Sequence, residues 1–122
     1  MSYGTTFPLW RDAAGEAWQD YTHHAFVEGM RDGTLPPEAF LRYLVQDYLF
    51  LVHFSRAWAL AVTKAETLDE MRTCSDTLRA LLNDEMQLHI RTCAAKGIPE
   101  AELFAAEEAP QNIAYTRYVL DA

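Results

Sequence analysis

Cysteine is scarce in this chain, and glycine and proline are sparse. Only Cys74 and Cys93 occur, nineteen residues apart, with no CxxC pair and no flanking histidine. That spacing excludes a disulfide framework and an ordinary zinc site. Free thiols fit a reducing compartment, so a cytoplasmic location is expected. Five glycines and five prolines are scattered singly or in one Pro-Pro pair. There is no Gly-rich phosphate loop, no Walker motif and no GxSxG nucleophile elbow. Positive charge is also short: 10 Lys and Arg stand against 18 Asp and Glu, a net charge of −8. Such an acidic chain disfavours nucleic acid or an anionic membrane as partner, and the charge also serves solubility. Long hydrophobic runs are missing too. No stretch reaches the roughly 18 apolar residues of a membrane span. The start, MSYGTTFPLWRDAAGEAW, has neither the basic end nor the apolar core of a signal peptide.

What is present is helical patterning. Half the residues are hydrophobic, enough for a sizeable core in a single domain. Trp10, Ala14, Ala17, Trp18 and Tyr21 recur at helical spacing and predict a first helix from about Thr6–Pro8 through Phe26. Gly29 and the Asp-Gly-Thr at 32–34 are expected to break it. Pro36 and Pro37 then open a second, long helix to about Ala65. Thr67-Leu68-Asp69-Glu70 has the pattern of a capping box and predicts a third helix to about Lys96, closed by Gly97 and Pro99. A short helix near Glu100–Ala106 and a last one from Pro110 complete the pass. That last helix has no stop signal and ends in apolar and aromatic residues. The chain is therefore expected to be the first part of a longer domain.

One stretch poses the functional question. In YLVQDYLFLVHF, residues 43–54, nine of the twelve are aliphatic or aromatic, and only Asp47 carries a full charge at neutral pH. Helical spacing puts Asp47 on a stripe with Phe40, Tyr43, Phe50, Phe54 and Trp58, beside a face of Leu44, Tyr48, Leu51 and Ser55. A buried Asp is often structural, held by an Arg or a backbone donor. Arg42 and Arg56 are at the wrong spacing to be local partners. The functional alternative is a carboxylate in an aromatic-walled site, with Tyr43, Tyr48, Phe50 and Phe54 as walls.

The third helix carries a similar interruption. Its stripe runs Leu68, Met71, Leu78, Leu81/Leu82, Glu85 and Leu88/His89. Glu85 and His89, one turn apart, could be two metal ligands. The Glu-x-x-His pairs of carboxylate di-iron bundles do not occur, and a local Glu85–His89 hydrogen bond is the simpler expectation. No metal site is assigned. His23-His24 sits where the first helix should break, and a helix-end role is expected. His53 reads as a satisfied core histidine.

The segment HHAFVEGMRDGTLPPEAFLRYLVQDYLFLVHFSRAWALAVTKA resembles the opening of the TenA family, the class II thiaminases. NDEMQLHI and PQNIAYTRYVL are similar to later parts of that family, so the resemblance spans nearly all of residues 1–122. It implies an all-α, haem-oxygenase-like helical bundle, of which this chain would be the first half, assembled as a homotetramer. It implies hydrolysis of an aminopyrimidine, thiamine or its aminomethyl-pyrimidine breakdown product, to hydroxymethyl-pyrimidine in thiamine salvage. No cofactor is implied, and the partner is a small molecule. By resemblance Asp47 hydrogen-bonds the pyrimidine and is catalytic, Tyr115 lines the ring, and Phe50 stands where many members have Tyr. Tyr48 completes the substrate-binding set. The family's cysteine nucleophile and late glutamate correspond to nothing here; Cys74 and Cys93 do not match them. A di-iron oxidase using Glu85 and His89, or a helical interaction module without chemistry, are the alternatives.

Overall fold

The computed structural model describes residues 4–122, and every regular element in them is helical. The chain divides into two compact units, one ending at Pro37 and one running from Glu38 to Ala122.

The first unit holds α1 (Thr6–Ala14), α2 (Glu16–Thr22) and α3 (Ala25–Asp32). The expected single helix is therefore three. Gly15 supplies the first break, with φ 56° and ψ −130°, a conformation a side chain resists. His24 supplies the second. Its Nδ1 accepts from the Phe26 N–H at 3.1 Å and caps α3, the helix-end role expected of it. Gly29 is not a break. It lies inside α3, where a Cβ would stand 3.3 Å from the backbone of Leu35, and its carbonyl accepts from the Leu35 N–H at 3.1 Å. α3 stops instead at Gly33, φ 79°. Asp32 then accepts from the Thr34 N–H and hydroxyl, which fixes the turn and holds its carboxyl below the usual range.

The second unit is organised on α4 (Pro37–Lys64), 28 residues long. Its buried side chains are Leu44, Tyr48, Leu51 and Ser55, one face at spacings of four, three and four. Ser55 satisfies its hydroxyl on the Leu51 carbonyl at 2.8 Å. Leu81, Met86, Cys93 and Leu103 complete the core. They come from the π-helical turn (Leu81–Glu85) that follows α5 (Leu68–Ala80), from α6 (Met86–Ala95) and from α7 (Glu100–Ala105). α8 (Pro110–Asp121) follows, with Pro110 in its first turn as expected.

The sequence signals at both ends of the third helix hold. Thr67 accepts from the Glu70 N–H while the Glu70 carboxylate accepts from the Thr67 N–H. Gly97, φ 85°, sits in a Schellman close, with Ile98 N–H on the Cys93 carbonyl and Gly97 N–H on the Ala94 carbonyl. Thr67→Ala removes the cap and leaves a helix N–H without its partner. It is expected to cost about 1 kcal/mol, read as a melting point a few degrees lower.

The middle of that helix differs from the expectation. The π turn inserts one extra residue, so the apolar stripe jumps from Leu81 to Met86 and on to Cys93. Glu85 is thereby carried off the stripe and into solvent.

Candidate active site

Asp47 lies on α4 beside the buried face, with its side chain 26% exposed. Its partner is His89 on α6, whose Nδ1 stands 3.6 Å from Asp47 Oδ2. The other ring nitrogen, Nε2, donates to the Leu44 carbonyl at 2.6 Å. A carbonyl only accepts, so Nε2 carries a proton. His89 thus bridges two points of α4 that lie one turn apart. The expected Glu85–His89 bond is not what His89 makes: both its nitrogens face α4, and the π turn is what separates the two residues' environments. Among the described residues no group of three or more His, Cys, Asp and Glu is placed to hold a metal ion.

Burial pushes the Asp47 carboxyl up, opposed by the charge of His89 and reinforced by that of Glu85. The neighbouring Cys93 is fully buried, and burial together with Asp47 pushes its thiol up. A buried, neutral thiol is a poor nucleophile, in keeping with Cys93 matching no catalytic position.

Beyond Asp47 along α4 runs a row of rings. Phe50 and Phe54 stack with centroids 5.2 Å apart, and Trp58 meets Phe54 edge-on at 6.2 Å. Tyr115 of α8 lies 5.6 Å from Phe50. The structure therefore brings Phe50 and Tyr115 together, on the side of α4 that carries Asp47. Tyr115 is 58% exposed, so this row has an open flank. Tyr48 is placed differently. It is 6% exposed, packed in the core, with its hydroxyl pushed up by burial and by Glu100. An apolar hollow of about 320 Å³ between Val52, Ser55, Arg56, Ala59, Leu78, Leu82 and Met86 involves none of these four residues.

The position of Tyr115 depends on residues that the sequence did not single out. Gln46, next to Asp47, reaches the segment before α8. Its amide donates to the Glu107 carbonyl at 2.9 Å and accepts from Ala109 N–H at 2.9 Å and Asn112 Nδ2 at 3.1 Å. Glu108 takes a two-pronged bond from Arg117, at 2.9 and 3.0 Å, and lies 3.2 Å from His53 Nε2. The Arg117 bond, with His53 beside it, holds the Glu108 carboxyl low. His53 is thus a satisfied histidine, as expected. Gln46 ties this segment to α4 directly, and Glu108, held by Arg117, ties it through His53.

The all-helical architecture is that of the haem-oxygenase-like class of folds, to which the structural match below assigns it. The match to the TENA/THI-4/PQQC family covers residues 11–122, and the chain is a member of that family. A crystal structure of a TenA family transcription regulator from Silicibacter sp. TM1040 is 60% identical, with a TM-score of 0.94 over 98% of this chain and 53% of that one. An aminopyrimidine aminohydrolase of Halalkalibacterium halodurans is 39% identical over 110 residues, 90% of this chain and 49% of its own. An uncharacterized protein of Haemophilus influenzae is 50% identical over 104 residues, 85% of this chain and 48% of its own. The chain thus spans about half the length of the curated relatives it matches.

Proposed function

We propose that this chain carries the pyrimidine-recognition half of an aminopyrimidine hydrolase, acting on thiamine or on aminomethyl-pyrimidine. The observation that supports it most is Asp47, paired with His89 and half-buried at the head of the Phe50–Tyr115 row. An aminopyrimidine offers a flat ring and, on one edge, an amine beside a ring nitrogen. Aromatic faces stack on the ring, and a carboxyl meets that edge with two parallel bonds. Phe50 provides a face without a hydroxyl, which favours the ring's stacking over a further hydrogen bond. The names of relatives such as the Halalkalibacterium hydrolase point the same way. The family also includes a protein described as a transcription regulator, but a net charge of −8 opposes contact with DNA. A homotetramer in the cytoplasm is the setting we propose for it.

The test is calorimetric titration of the chain with aminomethyl-pyrimidine. A saturable one-to-one isotherm is expected, with Tyr115 perturbed in the NMR spectrum. No heat and no perturbation at millimolar ligand would end the proposal for this chain.

A further inference from the structure

The pair on α4 and α6 has a consequence for how Asp47 meets a ligand. The Leu44 carbonyl requires a proton on Nε2 of His89, so Nδ1 is the only nitrogen left to face Asp47 Oδ2. If both Nδ1 and the carboxyl were bare, two lone pairs would point at each other across 3.6 Å in a half-buried place. One proton between them removes that conflict. It sits on Nδ1 as an imidazolium beside a carboxylate, or on the carboxyl beside a neutral ring.

We propose that His89 is a positioning residue that keeps one proton in a dyad with Asp47, so that Asp47 meets an aminopyrimidine as donor and acceptor at once. This rests on the pyrimidine-binding reading above. An ionised carboxylate presents two acceptors, and one of them would face the lone pair of the ring nitrogen. A carboxylic acid presents an O–H to that nitrogen and a C=O to the amine. On binding, the proton the dyad holds lies on the Asp47 carboxyl, and none is drawn from solvent. The other groups around the dyad agree with it. Glu85, on the π turn, is the second charge acting on Asp47 and is negative, which favours retention of the proton. Cys93, on α6, is buried and neutral. The Leu44 contact fixes the ring plane, and with it the direction of Nδ1.

The variant that isolates this role is His89→Gln. A glutamine amide reaches the place of Nε2 and still donates to Leu44, but it has nothing at Nδ1. Carboxyl carbon NMR of Asp47 in the unliganded chain is the first measurement. The Asp47 midpoint is expected to rise in H89Q, because the charge that opposes burial is gone; an unmoved midpoint overturns the dyad whether or not any pyrimidine binds. Nitrogen NMR of wild-type His89 gives an independent check should H89Q fail to fold. The neutral ring is expected in the Nε2–H form, and an Nδ1–H form overturns the proposal. Calorimetry with aminomethyl-pyrimidine in buffers of different ionisation heat is the third arm. Wild type is expected to bind with no net proton uptake. H89Q is expected to bind about tenfold or more weakly and to draw a proton from the buffer. Equal affinity and equal proton uptake in both proteins would sink the role of His89 in recognition. Absence of binding by the wild type would count against the function proposed for the chain and leave the NMR arms to decide the dyad.

Discussion

Asp47→Asn is expected to weaken aminomethyl-pyrimidine binding by about tenfold while leaving the fold intact. Asparagine keeps the size of the side chain and one acceptor. Its amide N–H can stand in for the O–H toward the ring nitrogen, but a neutral amide shares no proton with His89 and holds the ligand's edge less tightly. The loss is that of a hydrogen bond to a charged or proton-sharing group, in a site that water reaches only partly. Stability should move the other way. Burial is the largest influence on Asp47 and raises its pKa above the unfolded value. Between those two values the folded chain holds more protons than the unfolded one, so stability falls as pH rises through that window. Above it the cost of burying the charge is complete. Asparagine has no charge to bury, so at neutral pH the variant should melt at the wild-type temperature or above it. Its advantage should disappear in acid, below the unfolded carboxyl range. Binding within threefold of wild type, measured by calorimetry at pH 7, would show that no proton shared with His89 is needed to hold the ligand.

The sequence made some of this visible because the signals are local. Thr67 and Glu70 act within one turn, and Gly97 and Pro99 end a helix wherever they stand. Pro37 and Pro110 open helices for the same reason. Asp47 stood out because a carboxylate interrupts an apolar run. Four features had no local signal. Gly15 could have been a packing glycine or a break, and only its backbone angles decide. The π turn at Leu81–Glu85 leaves no mark on a 3.6-residue period except a misplaced Glu85. A stripe drawn straight through it pairs Glu85 with His89, when the extra residue turns His89 toward Leu44 and Asp47. Tyr48 was expected both on the face of Leu44, Leu51 and Ser55 and among the aromatic walls, and spacing alone does not choose between them. Its position one residue further round α4 gives it 6% exposure, packed with the core. The partners of Gln46 lie more than sixty residues away, and no spacing rule reaches that far.

Gln46→Ala is expected to be the most damaging single change to the α8 side of the site. The side chain makes bonds to Glu107, Ala109 and Asn112, all in the segment that leads into α8 or in its first turn. That segment is extended at Ala106 and Ala109, so its backbone groups have no helix to satisfy them. Truncation strands the Ala109 N–H, which is part-buried. Three lost bonds at about 1 kcal/mol each, reduced for partial exposure, put the cost at about 2 kcal/mol, and the melting point should fall by roughly 6–10 °C. The Glu108–Arg117 pair remains but sits nearer the surface and holds less firmly. With the segment loosened, Tyr115 should lose its fixed place beside Phe50, and its ring signals in NMR should sharpen toward those of a free tyrosine. Gln46→Glu separates the two halves of the side chain's work. A carboxylate still accepts from Ala109 and Asn112 but gives nothing to the Glu107 carbonyl, so it should fall between alanine and wild type in melting point. If Gln46→Ala melts within a degree of wild type with Tyr115 unchanged, the Gln46 bridge does not position α8. The aromatic row would then have to be held by Arg117 and its glutamate alone.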